Sequence, residues 1–441
     1  MNALVGRAAC VHIDRHLNAR FSEDGGAVQT VSPALAIDQE RIARFCLSTD
    51  TALTQDLITL CGAIWWADRK VTRKRATAWA RRLELTVPAF EQAALTGAAP
   101  ALARVLRYLT GDEWILTFEA RTDAPMKVQG LPFAGPAPAA VMPFSNGLDS
   151  FAQYLLLCAE HPGREIWRVR TSTRNQKKSE EKLLHVPLSV LGIEHPEPSY
   201  RTRVFVFFLF AALAASASGA NLVVIAENGQ GSLAPSLLPF ANEWPFRSTH
   251  PVFVQRLEKV LTSLLPAPVK FAQPQLWRTK GEVLALMAQR AGGAHAGWAA
   301  TQSCSNNHRH QFGAGGCGFC GGCLLRRASV HAAGLDTAGD AYGFDAANAS
   351  FTLEDRRGKR PFSDNEADIL RHSLRSMREF AELVGRPDAQ TRLQGECMQM
   401  DADAPEAALQ RLMRLAEAHQ REVHAYTETL PEGAVLRAMA A

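Results

Sequence analysis

Two short stretches in the first third of the chain alternate apolar with polar residues. They are RRLELTVP at 81–88 and EWILTFEA at 113–120, and this two-residue period predicts half-buried strands. Apolar residues recur at helical spacing over 54–67 and 102–109, which predicts two helices. Residues 1–121 are therefore predicted to form a small α+β domain.

The pattern changes after residue 138. The stretch TDAPMKVQGLPFAGPAP at 122–138 is rich in proline and glycine, which predicts a linker. Apolar segments then alternate with helical ones, which predicts a doubly wound α/β domain over 139–335 with a parallel sheet covered on both faces. The predicted strands are AAVMPF, EIWRVRT, HVPLSVLGI and NLVVIAEN, and the predicted helices cover 149–160, 178–184, 202–219 and 280–291.

Residues 336–441 are predicted to form a helical tail. Ser363 and Glu366 stand in capping-box spacing before an apolar stripe of helical period. Pro405 precedes a second stripe and marks a helix start, because proline is favoured in the first helical turn.

Composition narrows the functional classes. A chain of 441 residues, 47% of them hydrophobic, is long enough for two or three domains. The formal net charge of +4 gives no sign of a broad nucleic-acid surface. The apolar run VFVFFLFAALAA is too short to cross a bilayer, and the N-terminal stretch lacks the apolar core of a secretory signal. Scattered single cysteines suit a reducing compartment, so a cytoplasmic location without membrane attachment is expected.

The predicted strand AAVMPF runs into SNGLDS, residues 145–150, at the start of a predicted helix. The free N–H groups and the dipole of a helix start attract phosphate. Ser145 and Ser150 can add hydroxyl donors, and Asp149 can cap the helix or help to hold magnesium. The alternative is a plain Asn-Gly turn with Asp149 as a helix cap.

A second cluster contains four cysteines in a glycine-rich segment, namely Cys304, Cys317, Cys320 and Cys323. Four thiolates suit a closed, tetrahedral, structural zinc site. A redox C-x-x-C pair and an iron–sulfur cluster are alternatives, and His308 or His310 can replace Cys304 as a ligand. Arg326 and Arg327 follow directly and can bind phosphate or cap a solvated helix end.

Three polar segments each follow a predicted parallel strand: residues 145–150, 171–177 and 227–231. In an open α/β sheet the carboxyl ends of the strands form the ligand crevice, so these segments are expected to converge. For Glu227 and Asn228 a simple turn after the strand is the alternative.

The SNGLDS stretch resembles the S-G-G-x-D-S motif of the PP-loop ATP pyrophosphatases, with Asn146 where that family has glycine. Asparagine tolerates positive φ better than other non-glycine residues, so the turn is expected to survive. Together with Ser303-Cys304 and CGFCGGCLLRR, it resembles the 7-cyano-7-deazaguanine synthases, called QueC. The segments NQKKSEE, RTRVFVFF, AENGQGSL and RTKGEVL look similar as well, so the resemblance covers roughly residues 139–335.

This resemblance implies a PP-loop fold and an ATP-dependent carbon–nitrogen ligase. In that family the carboxylate of 7-carboxy-7-deazaguanine attacks the α-phosphate of ATP, pyrophosphate leaves, and an amine displaces AMP. It implies Mg²⁺ and Zn²⁺ as ions, with the four cysteines as zinc ligands. The ATP loop would comprise Ser145, Asn146, Gly147, Leu148, Asp149 and Ser150, of which Ser145, Asp149 and Ser150 would be catalytic. The substrate contacts would be Gln176, Lys177, Arg203, Glu227, Asn228 and Lys280.

The front domain and the tail exceed what one α/β domain needs. Long QueC-like proteins resemble components of bacterial anti-phage operons, notably the C component of the Qat system and type IV CBASS proteins. That resemblance implies a partner protein from the same operon as the amine acceptor. Three alternatives remain: a housekeeping synthase that uses ammonia, a tRNA-modifying PP-loop enzyme, and a non-catalytic scaffold.

Overall fold

The computed structural model describes residues 7–38, 41–42, 52–74, 79–125, 135–170, 183–238, 244–306, 311–312, 316–335, 342–356 and 358–440. By their contacts the chain forms two units, each discontinuous in sequence. The first unit comprises Met1–Pro143, Gly163–Ile225 and Pro239–Ala272, and the second Phe144–Pro162, Ala226–Leu238 and Gln273–Ala441. The domain boundaries predicted at 121, 138 and 335 stay predictions.

The elements are numbered here in chain order. The strands are β1 (Arg7–Ile13), β2 (Ala19–Glu23), β3 (Gln29–Val31), β4 (Leu35–Ile37), β5 (Arg81–Ala89), β6 (Glu113–Ala120), β7 (Ala140–Pro143), β8 (Ile166–Arg170), β9 (Leu183–His185), β10 (Leu188–Val190), β11 (Leu222–Val224), β12 (Lys270–Ala272), β13 (Thr352–Asp355) and β14 (Gly358–Pro361). The α-helices are α1 (Ala52–Lys70), α2 (Gln92–Thr110), α3 (Leu148–Glu160), α4 (Arg203–Ser218), α5 (Gly229–Leu237), α6 (Pro251–Leu264), α7 (Lys280–Arg290), α8 (Gly321–Ala332), α9 (Asp364–Glu382), α10 (Ala389–Met400) and α11 (Pro405–Glu428).

The first sheet of the first unit has five strands in the order β3-β2-β1-β5-β6. Strands β1, β5 and β6 run parallel, and the β1–β2 and β2–β3 pairs are antiparallel. Helix α1 packs on β5, and α2 packs on β6. The two predicted strands and the two predicted helices in this region are confirmed.

The second sheet of the first unit is entirely parallel, in the order β12-β11-β7-β8-β9. The order along the sheet reverses between β7 and β11, as in doubly wound sheets. Helix α4 packs on β7, β8 and β11. The prediction of an α/β architecture with parallel strands is therefore confirmed.

Two predicted elements of this sheet were wrong. The strand in HVPLSVLGI is β10, which pairs antiparallel with β4 and lies outside the parallel sheet. The fifth place is taken by β9, so residues 183–184 extend instead of ending the helix predicted at 178–184. The rest of that predicted helix lies outside the described residues. Alternation alone cannot tell which strands pair, because pairing depends on distant segments.

Charged residues at the end of α1 are buried in the first unit. Arg81, which has no exposed surface, bonds Asp112 Oδ2 through Nη2 at 2.6 Å and also bonds Asp68. Burial alone would raise the pKa of Asp68, but Arg81 and Arg73 outweigh it and lower the pKa. These ion pairs compensate for the burial of Asp68 at the end of α1, a helix whose residues from Gln55 to Asp68 are all buried. Within the described residues, no helix is long and apolar enough to cross a membrane.

The second unit is mainly helical. The capping box of Ser363 and Glu366 at the start of α9 is confirmed, as is the start of α11 at Pro405. Helix α10 and the β13–β14 hairpin were not predicted. Residues of α8, α9 and α11 share one apolar core with the four clustered cysteines, so the predicted tail packs around the cysteine loop.

Candidate functional site

The loop that follows β7 in the chain leaves the start of α3 open. Gly147 is the N-cap residue, and no side chain caps the helix. The Ser145 hydroxyl accepts from the Gly147 N–H at 3.1 Å, and the Ser145 N–H donates to Ser150 Oγ at 3.2 Å. The two serine hydroxyls lie 3.0 Å apart. This arrangement places hydroxyls and uncapped N–H groups at one helix start, which is the chemistry of an anion site.

Asn146 causes no backbone strain in this loop. Among the described residues, the non-glycine positions with positive φ are Leu17, Asp24 and Asn221. Asn146 is not among them, so the turn forms with asparagine here as expected, although it does so without a positive φ at this position. The close approach occurs at Gly147, where an added Cβ would lie 3.0 Å from Ser145 Oγ.

Asp149 is held by two side chains from distant segments of the second unit. Its Oδ2 lies 2.8 Å from Lys280 Nζ, and its Oδ1 accepts from Asn228 Nδ2 at 2.8 Å. Because both oxygens face side-chain donors and Gly147 is the N-cap residue, Asp149 does not act as a helix cap. The alternative of a plain turn with Asp149 as its cap is not supported.

Asn228 contacts two carboxylates beside this loop, those of Asp149 and Glu227. Its Nδ2 also donates to Glu227 Oε1 at 3.1 Å, and its Oδ1 accepts from the Gly231 N–H at 3.1 Å at the start of α5. Asn228 has no exposed surface. The residue therefore caps α5, as a turn residue would, and at the same time orients two carboxylates.

Buried charges of both signs interact here. Burial raises the pKa of Glu227, and the carboxylate of Asp149 raises it further; Lys280 opposes them, and the pKa reaches about 7. Burial alone would lower the pKa of Lys280, but Asp149 and Glu227 outweigh it and raise the pKa. At neutral pH, Lys280 thus stays cationic while Glu227 is close to its midpoint, and perturbed carboxyls of this kind are typical of functional sites.

We expect Glu227→Gln to change the pH dependence of stability. From the ordinary pKa of 4.5 up to about 7, the folded protein holds a proton on Glu227 that the unfolded chain releases. The free energy of unfolding therefore falls as pH rises through this window, and glutamine abolishes that fall. Urea unfolding from pH 4.5 to 8 should show the variant gaining stability over the wild type, up to a plateau above pH 7.

Comparing Glu227→Gln with the wild type isolates the contribution of the Glu227 carboxyl. His419 contributes the opposite slope, since burial lowers its pKa to about 4, but it does so equally in both proteins. Parallel curves for the variant and the wild type would contradict the assignment.

The four clustered cysteines are all buried, and their Sγ atoms lie within 4.8 Å of one another. The Cys317–Cys323 and Cys304–Cys320 sulfur pairs are 3.9 and 4.0 Å apart. A tetrahedral zinc with Zn–S bonds of about 2.3 Å requires sulfurs about 3.8 Å apart. The four residues therefore fit a zinc ion, and Cys304 belongs to the set. His308 and His310, its predicted substitutes, lie outside the described residues.

A short segment links this cysteine cluster to the Ser145–Ser150 loop. The Gln302 N–H donates to the Asn146 carbonyl at 2.8 Å, two residues before Cys304. Arg326, which has no exposed surface, donates through Nη1 to the Thr301 carbonyl at 3.1 Å and Oγ1 at 2.9 Å. Arg326 therefore does not cap a solvated helix end, because it holds this linking segment from within.

Ser303 supplies a further polar group in the same segment. Its Oγ is buried and has no hydrogen-bond partner among the residues that the structure describes. Buried hydroxyls usually have a partner, so this unpaired one is an exception in the segment. Arg327 is engaged elsewhere: it donates to the Phe344 carbonyl, and its guanidinium lies 3.8 Å from the Tyr342 ring centroid.

The remaining predicted substrate contacts have different outcomes. Gln176 and Lys177 lie outside the described residues. Arg203 belongs to the first unit, where it is exposed at the start of α4 with its guanidinium 5.4 Å from the Phe207 ring centroid. Its role as a substrate contact stays a prediction. Lys280, Glu227 and Asn228 are brought together with Asp149, as described above.

The sequence motifs did not assign a role to two residues that support this group, Gln230 and His419. Gln230 accepts the Lys280 N–H through Oε1, and its Nε2 lies 2.8 Å from His419 Nδ1. Of the two, only Gln230 lies in a segment with a recognisable pattern, AENGQGSL.

Compared with protein-family models, with curated proteins and with solved structures, the chain matches none of them.

Proposed function

We propose that this chain is an ATP-dependent carbon–nitrogen ligase of the PP-loop type, similar to QueC, with a structural zinc ion. The observation that carries the proposal is the environment of Asp149. An acidic residue in the open first turn of α3 is fixed between a buried lysine and a buried amide. A plain turn needs none of these partners, whereas a phosphate and its metal ion need charges of both signs held in place.

The roles follow from the chemistry of each group. The hydroxyls of Ser145 and Ser150 and the N–H groups at the start of α3 bind phosphate oxygens of ATP. Asp149 helps to hold Mg²⁺, which supplies positive charge to the pyrophosphate leaving group. Lys280 stays cationic and holds the Asp149 carboxylate in place. The four cysteines hold zinc in a structural role, since a closed Cys₄ site has no open position for a reactant.

The proposed reaction has two steps. The carboxylate of 7-carboxy-7-deazaguanine attacks the α-phosphate of ATP, which releases pyrophosphate and forms an acyl-adenylate. An amine then attacks the acyl carbon, loses a proton and displaces AMP to leave an amide. The protein contributes by positioning the reactants and stabilising developing charge.

We further propose that the amine belongs to a partner protein from the same operon, as in anti-phage systems of this type. Ammonia needs only a small pocket, yet the chain carries a five-stranded sheet with α1 and α2 in addition to the parallel sheet. This additional surface supports a protein acceptor, because a docking partner requires area that ammonia does not.

Mass spectrometry of the products tests the acceptor. The chain is incubated with ATP, 7-carboxy-7-deazaguanine and either ammonium or the candidate partner. We expect the partner to gain the mass of the acid minus one water, and a partner variant without the acceptor amine to remain unmodified. Free nitrile with an unmodified partner would indicate a housekeeping synthase instead. Pyrophosphate release that depends on tRNA would indicate a tRNA-modifying enzyme.

A further inference from the structure

The C-terminal helix α11 reaches the lysine of the candidate site through a chain of buried hydrogen bonds. His419 Nδ1 lies 2.8 Å from Gln230 Nε2, and Gln230 Oε1 accepts the backbone N–H of Lys280 at 2.7 Å. The side chain of Lys280 then pairs with Asp149 at 2.8 Å. His419, Gln230 and Lys280 are 2%, 4% and 5% exposed, so water does not compete for these bonds.

The direction of each bond is fixed by chemistry. His419 Nε2 lies 3.0 Å from the Met377 carbonyl, which can only accept, so Nε2 carries the ring proton. Nδ1 is then the acceptor and must face the amide nitrogen of Gln230. The amide oxygen of Gln230 is thereby turned towards the Lys280 N–H. Burial lowers the pKa of His419 to about 4, which keeps the ring in this neutral form at physiological pH.

Two more residues of α11 hold the same segment. Glu422 accepts from Thr279 Oγ1, directly before Lys280. Arg414 donates through Nη1 to the Trp277 carbonyl at 2.9 Å and to Glu282 Oε2 at 3.1 Å. An added Cβ at Gly229 would lie 2.6 Å from Leu415 Cδ2, so α11 also lies against the start of α5. The helix therefore fixes the starts of both α5 and α7.

We propose that α11 is a positioning element of the candidate site, acting through His419 and Gln230 to hold Lys280 against Asp149. The C-terminal helical region is then required for the reaction, beyond its part in packing. That catalytic consequence rests on the proposed function; the positioning of Lys280 does not. His419 and Gln230 touch no reactant in this account and act only through Lys280.

The test uses the full chain with His419→Phe and Gln230→Glu. Phenylalanine keeps an aromatic ring against Phe380, which lies 4.9 Å from the His419 ring centroid, but removes both ring nitrogens. His424→Asn is the matched control, because His424 is an exposed histidine on the same helix. Lys280 reactivity is measured by mass spectrometry after brief acetic anhydride treatment, which needs no ATP chemistry.

We expect Lys280 to be acetylated at least about tenfold faster in His419→Phe than in the wild type and the control. Pyrophosphate release should lose about tenfold in kcat with a smaller change in the KM for ATP. If Lys280 is as protected in His419→Phe as in the wild type, the proposal is wrong. If the wild type releases no pyrophosphate but Lys280 becomes reactive in the variant, the positioning role stands and only the ATP chemistry fails.

Gln230→Glu provides a second measurement, the titration of the His419 ring, which would not change if the contact served only for packing. A carboxylate at 230 can still accept the Lys280 N–H, but it has no proton to donate to His419 Nδ1. The pair must then hold one extra proton, either on the ring or on the new carboxyl, which lies beside the Glu422 carboxyl that Gln230 also contacts. NMR of the His419 ring should therefore show a titration above about pH 5 that the wild type lacks, and a ring that titrates only near its wild-type pKa of about 4 would overturn the relay.

Discussion

Asp149→Asn is expected to lower ATP-dependent pyrophosphate release by about 100-fold or more, the usual cost of removing one preorganised charged contact. The asparagine side chain has the same size, but Asn228 and Lys280 both donate to Asp149 whereas an amide offers only one acceptor oxygen, and it carries no charge to hold a metal ion or the lysine. The folded state should lose little stability. With Asp149 neutral, the main like charge acting on Glu227 is gone, and Glu227 can ionise to pair with Lys280.

A matched control is Asp364→Asn, which changes an exposed acidic residue in the first turn of α9. It should leave pyrophosphate release unchanged. Asn146→Gly should also be tolerated, because position 146 needs no positive φ. A thermal midpoint within a few degrees of the wild type is required for the comparison. Persistent activity of Asp149→Asn in a folded protein would contradict the assignment of this loop.

Cys317→Ser is expected to lower the thermal midpoint by roughly 10 °C or more, because a structural zinc contributes several kcal/mol to folding. The cysteine loop lies within the same core as residues of α8, α9 and α11, so its loss should weaken the second unit. Purified wild-type protein should contain about one zinc per chain by elemental analysis. The variant should contain less.

Cys397→Ser is the control for this change. Cys397 is a fully buried free thiol on α10 and does not belong to the group of four. It should keep its zinc and lose much less stability. Iron with a visible charge-transfer band, absence of any metal, or equal effects of the two serine substitutions would contradict the zinc assignment.

Local pattern was enough to predict much of the fold. Alternation in β5 and β6 and the capping box at Ser363 gave correct elements, because those signals depend on neighbours in sequence. Local pattern was not enough to predict which strands pair with each other. Strand β10 joins β4, which lies about 150 residues earlier, and no periodic pattern encodes a partner at that distance.

In the candidate site, too, residues in local motifs could be predicted and residues with distant partners could not. The SNGLDS loop and the four cysteines were visible as motifs, and Lys280 came from the RTKGEVL segment. His419 gave no signal, because it is a lone histidine in an amphipathic helix and its partner Gln230 is 189 residues away. Arg81 and Arg326 are fully buried, although arginine is usually exposed. Only the tertiary structure shows the partners that make their burial tolerable.

Oxygen labelling distinguishes adenylation of the acid from other routes to the amide. The chain is incubated with ATP and 7-carboxy-7-deazaguanine labelled with ¹⁸O in the carboxylate, together with the amine acceptor, and AMP is analysed by mass spectrometry. Attack of the carboxylate on the α-phosphate and displacement by the amine leave one carboxylate oxygen on AMP. We predict AMP carrying one ¹⁸O atom, in an amount equal to the amide formed. Unlabelled AMP, or ADP and phosphate as products, would exclude adenylation of this acid.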